Sequence, residues 1–231
     1  MTDAASAAQP PPAQTGFAAS LRGFGFAGIV AILIVVAGAL VFMPIAAWLI
    51  LVWAWLSKTP WREIGLARPR SWIGGVIVGV ALGVGLKFAL KAVVLPLLGA
   101  PAVNATFHNL AGDPSAAAWF AVYAIIGAGF AEELVFRGYL FERFRKLLGP
   151  GAGATLATVI IVTALFAVAH WQQGVFGIVN ALFTGLAIAI VFLICKRKLW
   201  VPIVAHAAFD LTALWMIYFN LETKVSHLVF K

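Results

Sequence analysis

Apolar residues dominate the chain in long runs, which short clusters of charged residues separate. A helix needs about 20 predominantly apolar residues to cross the hydrocarbon core of a bilayer. The pattern therefore predicts an all-α fold, a polytopic transmembrane helical bundle of about six to eight helices. The first run is too long for one upright span and short for two, and Gly38 and Pro44 mark positions for a kink or a turn. The runs cover residues 24–56, 72–98, 116–141, 155–171, 174–194 and 199–219.

The composition is that of a membrane protein. Hydrophobic residues make up 63% of the chain and charged residues 10%, whereas a soluble domain is about 45–50% apolar and about 25% charged. The net charge of +8 is explained by basic cytoplasmic loops more simply than by a nucleic-acid partner. We therefore expect an integral, multi-pass protein in a lipid bilayer, with no nucleic acid as a partner.

Three basic clusters set the predicted orientation. They lie at residues 58–70, 142–146 and 196–198, and segments such as residues 99–115 contain no Lys or Arg. Basic loops face the cytoplasm by the positive-inside rule, so we expect the three clusters on that side. The Ala-rich, short-looped chain is typical of a bacterial protein, which predicts the inner membrane as its location.

The two ends of the chain differ from the apolar runs. Residues 1–21 are rich in Ala, Pro, Gln and Ser and lack the segments of a secretory signal peptide, so we expect a disordered N-terminal tail. Residues 22–220 are expected to form one membrane-embedded domain, and residues 221–231 a C-terminal tail. The single cysteine, Cys195, excludes an intrachain disulfide.

Ionisable residues interrupt the third run. Glu132, Glu133 and Arg137 lie among apolar neighbours, where each ion costs about 2.5–3.5 kcal/mol at a bilayer centre unless it is paired. Glu133 and Arg137 are four positions apart and can pair on one helix face. Glu132 is rotated by about 100° from Glu133 on an α-helix, so it points elsewhere.

Two later runs carry further candidates. Phe166 and His170 share one helix face, and His206 and Asp210 share a face of another helix. Carboxylates and imidazoles on three helices can bind and deprotonate a water, directly or through a metal. A proton relay in a transporter uses the same residue types, and a single buried pair can be only a structural clamp, so the residues alone leave these functions open.

Other intramembrane hydrolases lack their residues in this chain. The His-Glu-x-x-His zinc motif is absent, and Asp210 is the only aspartate within a predicted span. The serines lie in tails or at span ends, and Cys195 has no nearby activating partner. Among hydrolytic mechanisms, a water activated by glutamate and histidine fits the sequence.

The run at residues 72–98 contains lysines and regularly spaced glycines. Gly75, Gly79 and Gly83 fall on one helix face, which favours close packing against another helix. Lys87 and Lys91 lie one turn apart. Snorkelling or the lining of a wet cavity is the favoured explanation for these lysines, and substrate binding is the alternative.

Three motifs together resemble those of a known family, the CPBP intramembrane proteases, which include CAAX prenyl proteases and bacteriocin-processing proteases. The resemblance covers roughly residues 61–214 and implies an all-helical membrane protease domain within residues 22–220. It implies an endopeptidase that acts on membrane-associated peptides or proteins, with a site opening toward the cytoplasm. The motifs are Glu132-Glu133-x-x-x-Arg137, Phe166-x-x-x-His170 and His206-x-x-x-Asp210.

The resemblance also implies a role for each site residue. Glu132 would activate the hydrolytic water, and Glu133 and Arg137 would fix the helix and the local charge. His170 and His206 would bind water, a metal or the oxyanion.

Asp210 departs from the family pattern, which commonly has asparagine at this position. Asparagine can donate a hydrogen bond to an oxyanion, whereas an ionised aspartate cannot. Asp210 could instead orient His206, ligate a metal or act in its protonated form.

Metal dependence and substrate remain open at this stage. Zinc or another divalent metal could be held by histidines and carboxylates, and a metal-free mechanism fits the same residues. Bacteriocin-like and other membrane-associated peptides are equally open as substrates. The alternative function is a non-proteolytic membrane protein, either a proton-coupled transporter or a scaffold or immunity factor that keeps the fold. The candidate metal ligands are Glu132, His170, His206 and Asp210.

Overall fold

The computed structural model describes residues 16–230, and within them the regular secondary structure is entirely helical. This confirms the predicted all-α fold. A short 3₁₀ helix, Ala105–Leu110, lies between α4 and α5. The helices are α1 (Phe17–Arg22), α2 (Phe26–Val41), α3 (Met43–Leu56), α4 (Trp72–Leu97), α5 (Pro114–Leu148), α6 (Ala152–Ala169), α7 (Trp171–Ile194), α8 (Trp200–Tyr218) and α9 (Glu222–Ser226).

Five of these helices, α4 to α8, are long and apolar enough to cross a membrane within the described part of the chain. The first apolar run instead forms two shorter helices, which answers the question that the sequence left open. The chain breaks at Phe42, whose backbone is extended, and Pro44 lies in the first turn of α3. Proline is tolerated there because its missing N–H would have no partner in the helix.

The three basic clusters meet at one end of the bundle. The ammonium of Lys146 lies 3.7 Å from the Glu63 carboxylate, and Lys198 donates to the carbonyl of Arg68 over 3.0 Å. We call this end the basic end. It consists of residues 57–71, 142–151 and 195–199.

The opposite end, which we call the loop end, consists of residues 98–113, 170–174 and 219–222. The backbone N–H of Gly112 donates to Tyr218 there. Lys91 near the end of α4 contacts the Glu222 carboxylate at 3.1 Å, and both side chains are buried. Glu222 begins helix α9. Part of the predicted C-terminal tail of residues 221–231 therefore packs onto the bundle, where it supplies a counter-charge to Lys91.

The predicted N-terminal tail of residues 1–21 lies largely outside the described residues. Its last residues form α1, where Leu21 is buried and accepts a hydrogen bond from the indole of Trp53 over 3.1 Å. Regular structure thus begins before the predicted boundary at residue 22.

Helices α4 and α8 pack closely along the glycines of α4. A Cβ atom on Gly83 would lie 2.2 Å from the Ala205 carbonyl oxygen, and one on Gly79 would lie 2.7 Å from Val204. These distances confirm the predicted close packing at two of the three glycines. Gly75 is looser, since its Cβ would lie 3.8 Å from Val201.

We expect Gly83→Ala to lower the free energy of unfolding by about 1–3 kcal/mol, because the new methyl group overlaps backbone atoms of α8. Gly85→Ala is the matched control, since its Cβ would have no neighbour within 4 Å. Unfolding of both variants in detergent checks the prediction, and equal stability of the two would contradict it.

Candidate active site

Helix α5 positions the Glu-Glu segment. Its N-terminus is capped by Asp113, which accepts hydrogen bonds from Ser115 and Ala116. The helix widens into π geometry over Ala124–Glu132 and again over Leu134–Leu140. Such segments are rare and frequently occur at functional sites. No hydrophobic pattern in the sequence predicts this widening.

Three buried charged or polar side chains form one network at the centre of the bundle. One oxygen of Glu133 accepts from Arg137 over 2.9 Å and from Nδ1 of His206 over 2.7 Å. The second guanidinium nitrogen of Arg137 donates to the carbonyl of Gly185 over 2.9 Å. Glu133 is 0% and Arg137 1% exposed. A buried ion pair is tolerated better when additional hydrogen bonds satisfy its partners. Here one oxygen of Glu133 and both terminal nitrogens of Arg137 are bonded, whereas the second oxygen of Glu133 and Nε of Arg137 have no hydrogen-bond partner among the described residues.

The Phe166 ring joins this network to the second motif. Its centre lies 4.5 Å from the guanidinium carbon of Arg137, 4.7 Å from the His170 ring and 5.8 Å from the His206 ring. Gly185 lets the ring approach, because a Cβ there would lie 2.9 Å from Phe166. The ring therefore packs against the cation and both imidazoles.

The network fixes the direction of His206. Because Nδ1 bonds to Glu133, Nε2 faces the other two acidic residues, at 4.0 Å from Glu132 and 3.8 Å from Asp210. These distances exceed that of a direct hydrogen bond and are of the size that a shared water bridges. One carboxylate oxygen of Glu132 is buried without a hydrogen-bond partner among the described residues.

His170 lies apart from this network. It ends helix α6, and its Nδ1 lies 2.8 Å from the carbonyl oxygen of Phe166. A carbonyl only accepts, so Nδ1 carries the proton, and Nε2 of the neutral ring is left as an acceptor. No hydrogen bond or ion pair within residues 16–230 joins His170 to the other predicted site residues. It shares a cavity with two of them, Glu132 and Asp210.

That cavity has a volume of about 830 Å³, which is within the usual range for ligand sites. Glu132, Phe136 and Asp210 line its deep part, and residues of the loop end, such as Asn104 and Gln172, line the remainder. The cavity thus reaches the site from the end opposite to the three basic clusters.

The four candidate metal ligands do not form a metal site in this structure. Across residues 16–230, no three His, Cys, Asp or Glu side chains are arranged to hold an ion. His170 bonds to a backbone carbonyl, and His206 lies 3.8 Å or more from Glu132 and Asp210 at its free nitrogen. In this structure the four side chains are not gathered around one point, and we derive no step through a metal.

Two parts of the site escaped prediction from sequence. The Gly185 carbonyl accepts from Arg137, and its only signal is a glycine inside an apolar run. Glu222 neutralises Lys91 at the far wall of the cavity, although 131 positions separate the two residues. Both contacts depend on how helices far apart in sequence pack together.

We expect Arg137→Met to lower the free energy of unfolding by about 3–5 kcal/mol, because it leaves the buried Glu133 carboxylate with one donor fewer. Adding Glu133→Gln should restore part of that loss. Arg70→Met, on an exposed side chain, should change stability by no more than about 0.5 kcal/mol. Additive effects of the two buried substitutions, measured by unfolding in detergent, would contradict the network.

Comparison with known proteins finds a family match, and it covers the helices that carry the site. Residues 114–212 match the family described as "Rce1-like: Type II CAAX prenyl endopeptidase Rce1-like". The matched segment is somewhat under half of the chain, begins at α5, ends within α8 and contains all three motifs. No curated protein and no solved structure matches the chain. The family match agrees with the resemblance to the CPBP and CAAX intramembrane proteases, across the segment that carries the site.

Proposed function

We propose that this protein is an intramembrane endopeptidase that hydrolyses membrane-associated peptides or proteins with a water activated by Glu132. The family match supports a protease. The proposed mechanism rests on the contrast between two adjacent carboxylates. Glu133 is hydrogen-bonded in the buried network, whereas Glu132 lines the cavity.

The contacts of the two glutamates divide their roles. Glu133 accepts from Arg137 and His206, and its exposed fraction is zero, so it holds the histidine and cannot reach a substrate. Glu132 forms no contact of hydrogen-bond length to His206. Its carboxylate faces the position where a water and a scissile carbonyl could meet.

The proposed reaction is a hydrolysis by general acid–base catalysis. The Glu132 carboxylate takes a proton from the water as the water oxygen bonds to the peptide carbonyl carbon. The carbonyl oxygen gains negative charge, and an imidazolium at His206 would stabilise that charge through Nε2–H. The carbon–nitrogen bond then breaks, and Glu132 returns its proton to the leaving amine.

The remaining candidates have supporting roles in this proposal. Neutral His170 presents an acceptor at Nε2 and would orient the water or a substrate N–H. Asp210 lies 3.8 Å from Nε2 of His206 and lines the cavity, so it would orient that imidazole. The requirement for zinc or another divalent metal stays a prediction.

The cavity geometry favours the hydrolase over the alternative of a proton-coupled transporter. Its lining residues belong to the loop end and the bundle centre, so within the described residues this cavity does not connect the two faces of the membrane. A scaffold or immunity factor needs no intact Glu132, and the activity measurement separates that function from a protease.

We expect Glu132→Gln to reduce cleavage of a quenched peptide library by at least about 10²-fold, since the general base is lost. Glu63→Gln is the matched control, because Glu63 lies at the basic end, outside the cavity. The assay uses purified protein in detergent, and metal content is read on the same samples. Cleavage that is unchanged in Glu132→Gln would refute the assignment of the base.

The side from which substrate arrives is a separate question. The positive-inside rule assigns the basic end to the cytoplasm, whereas the cavity reaches the loop end. A cytoplasmic opening of the site therefore stays a prediction, and it requires the chain to insert against that rule.

Labelling of single cysteines in intact cells decides the orientation. In a Cys195→Ser background, Gln172→Cys reports on the loop end and Pro150→Cys on the basic end, and both positions are exposed. The positive-inside rule predicts that a membrane-impermeant maleimide labels Gln172→Cys and spares Pro150→Cys. The reverse pattern would establish a cytoplasmic opening.

A further inference from the structure

The two lysines of α4 differ in their surroundings, although both line the cavity. Lys91 donates to the Ala102 carbonyl over 2.6 Å and to Glu222 over 3.1 Å. The same Glu222 oxygen accepts from the backbone N–H of Asn104 over 3.1 Å. Lys91 is thus neutralised, and its pair ties α4, the loop and α9 together.

Lys87 has no such partner. Its ammonium lies 4.6 Å from the centre of the Phe209 ring, and within residues 16–230 it makes no hydrogen bond and no ion pair. A cation–aromatic contact offsets only part of the cost of moving an ammonium out of water. Asp210 shares the cavity, but it lies beyond ion-pair distance of Lys87.

We propose that Lys87 binds a carboxylate of the substrate and so determines the specificity of this site, an inference that rests on the proposed protease function. A peptide offers two carboxylate sources, its C-terminus and an acidic side chain. Other charged groups that line the cavity are less suited to bind a carboxylate. Glu132 and Asp210 would repel it, and Lys91 is already paired with Glu222.

The position of Lys87 suits a substrate that reaches the base. The ring under its ammonium belongs to Phe209, three positions after His206 on α8, which is about 4.5 Å along the helix axis. An extended peptide advances about 3.3 Å per residue. If Lys87 bound a carboxylate of the peptide, a peptide bond a few residues from that carboxylate would therefore lie beside Glu132 and His206.

A purely electrostatic role is the competing explanation. Lys87 could act only as a distant counter-charge for Asp210, without touching substrate. In that case Lys87→Met would affect all peptides equally, and its effect would disappear in an Asp210→Asn background. A carboxylate anchor instead affects only peptides that carry the carboxylate, in either background.

The test uses a fluorescein-labelled library of apolar peptides, made once with a free C-terminal carboxylate and once as the carboxamide. A third library is amidated and carries one Asp or Glu side chain. Binding is measured by anisotropy in a Glu132→Gln background, so that no turnover is needed. Cleavage kinetics of the protein with Glu132 intact then show whether a substitution at Lys87 changes KM or kcat.

We expect Lys87→Met to weaken binding of the free-acid library by about 10- to 100-fold, with little effect on the carboxamide. Lys87→Arg should retain most of the affinity, and in the cleaving protein KM should rise more than kcat falls. Lys224→Met is the matched control, because Lys224 is exposed near the same end and does not line the cavity. A loss confined to the third library would identify an acidic side chain as the carboxylate.

Equal binding of all libraries to the protein with Lys87 intact, or no binding of any library, would overturn the proposal. An equal loss for all libraries that disappears with Asp210→Asn would overturn it in favour of the counter-charge. Discrimination between free acid and carboxamide without cleavage by the wild type would instead refute the protease function and leave the Lys87 site standing.

Discussion

The hydrogen bonds of Glu133 hold the site together. A buried carboxylate without partners would be costly in a membrane domain. One oxygen of Glu133 accepts from Arg137 on its own helix and from His206 on α8. Arg137 then reaches α7 through the Gly185 carbonyl. The position of three helices therefore depends on one charge, and the same bonds aim His206 at the cavity.

This arrangement separates a carboxylate that holds helices together from one that lines the cavity. The adjacent Glu132 belongs to the same helix, yet it lines the cavity. One of its carboxylate oxygens is buried and has no hydrogen-bond partner among the described residues. Glu132 does not have to fix the position of the helix, because the hydrogen bonds of Glu133 already do so. The two glutamates are chemically identical, and their surroundings differ because they lie on different sides of the helix.

Sequence alone predicted the contacts that lie within one helix. The four-residue spacing of Glu133 and Arg137 gave their ion pair, and the same spacing placed Asp210 near His206. It did not predict that His206 bonds to Glu133, because that contact depends on the distance between two helices. The docking of Glu222 onto Lys91 was missed for the same reason, and the π geometry of α5 has no counterpart in the hydrophobic pattern. The family match supports the reading of the three motifs together.

The short first helices have a consequence for the lipid around the site. Helices of 16 and 14 residues are about 24 and 21 Å long, whereas the hydrocarbon core is about 30 Å thick. A hydrophobic segment shorter than the core is accommodated by local thinning of the bilayer, by snorkelling of flanking residues or by oligomerisation. Val41, Phe42 and Met43 at their junction line the cavity, so any such thinning would lie beside the cavity. Under the proposed protease function, a membrane-associated substrate moving in the plane of the bilayer would reach the cavity beside this junction.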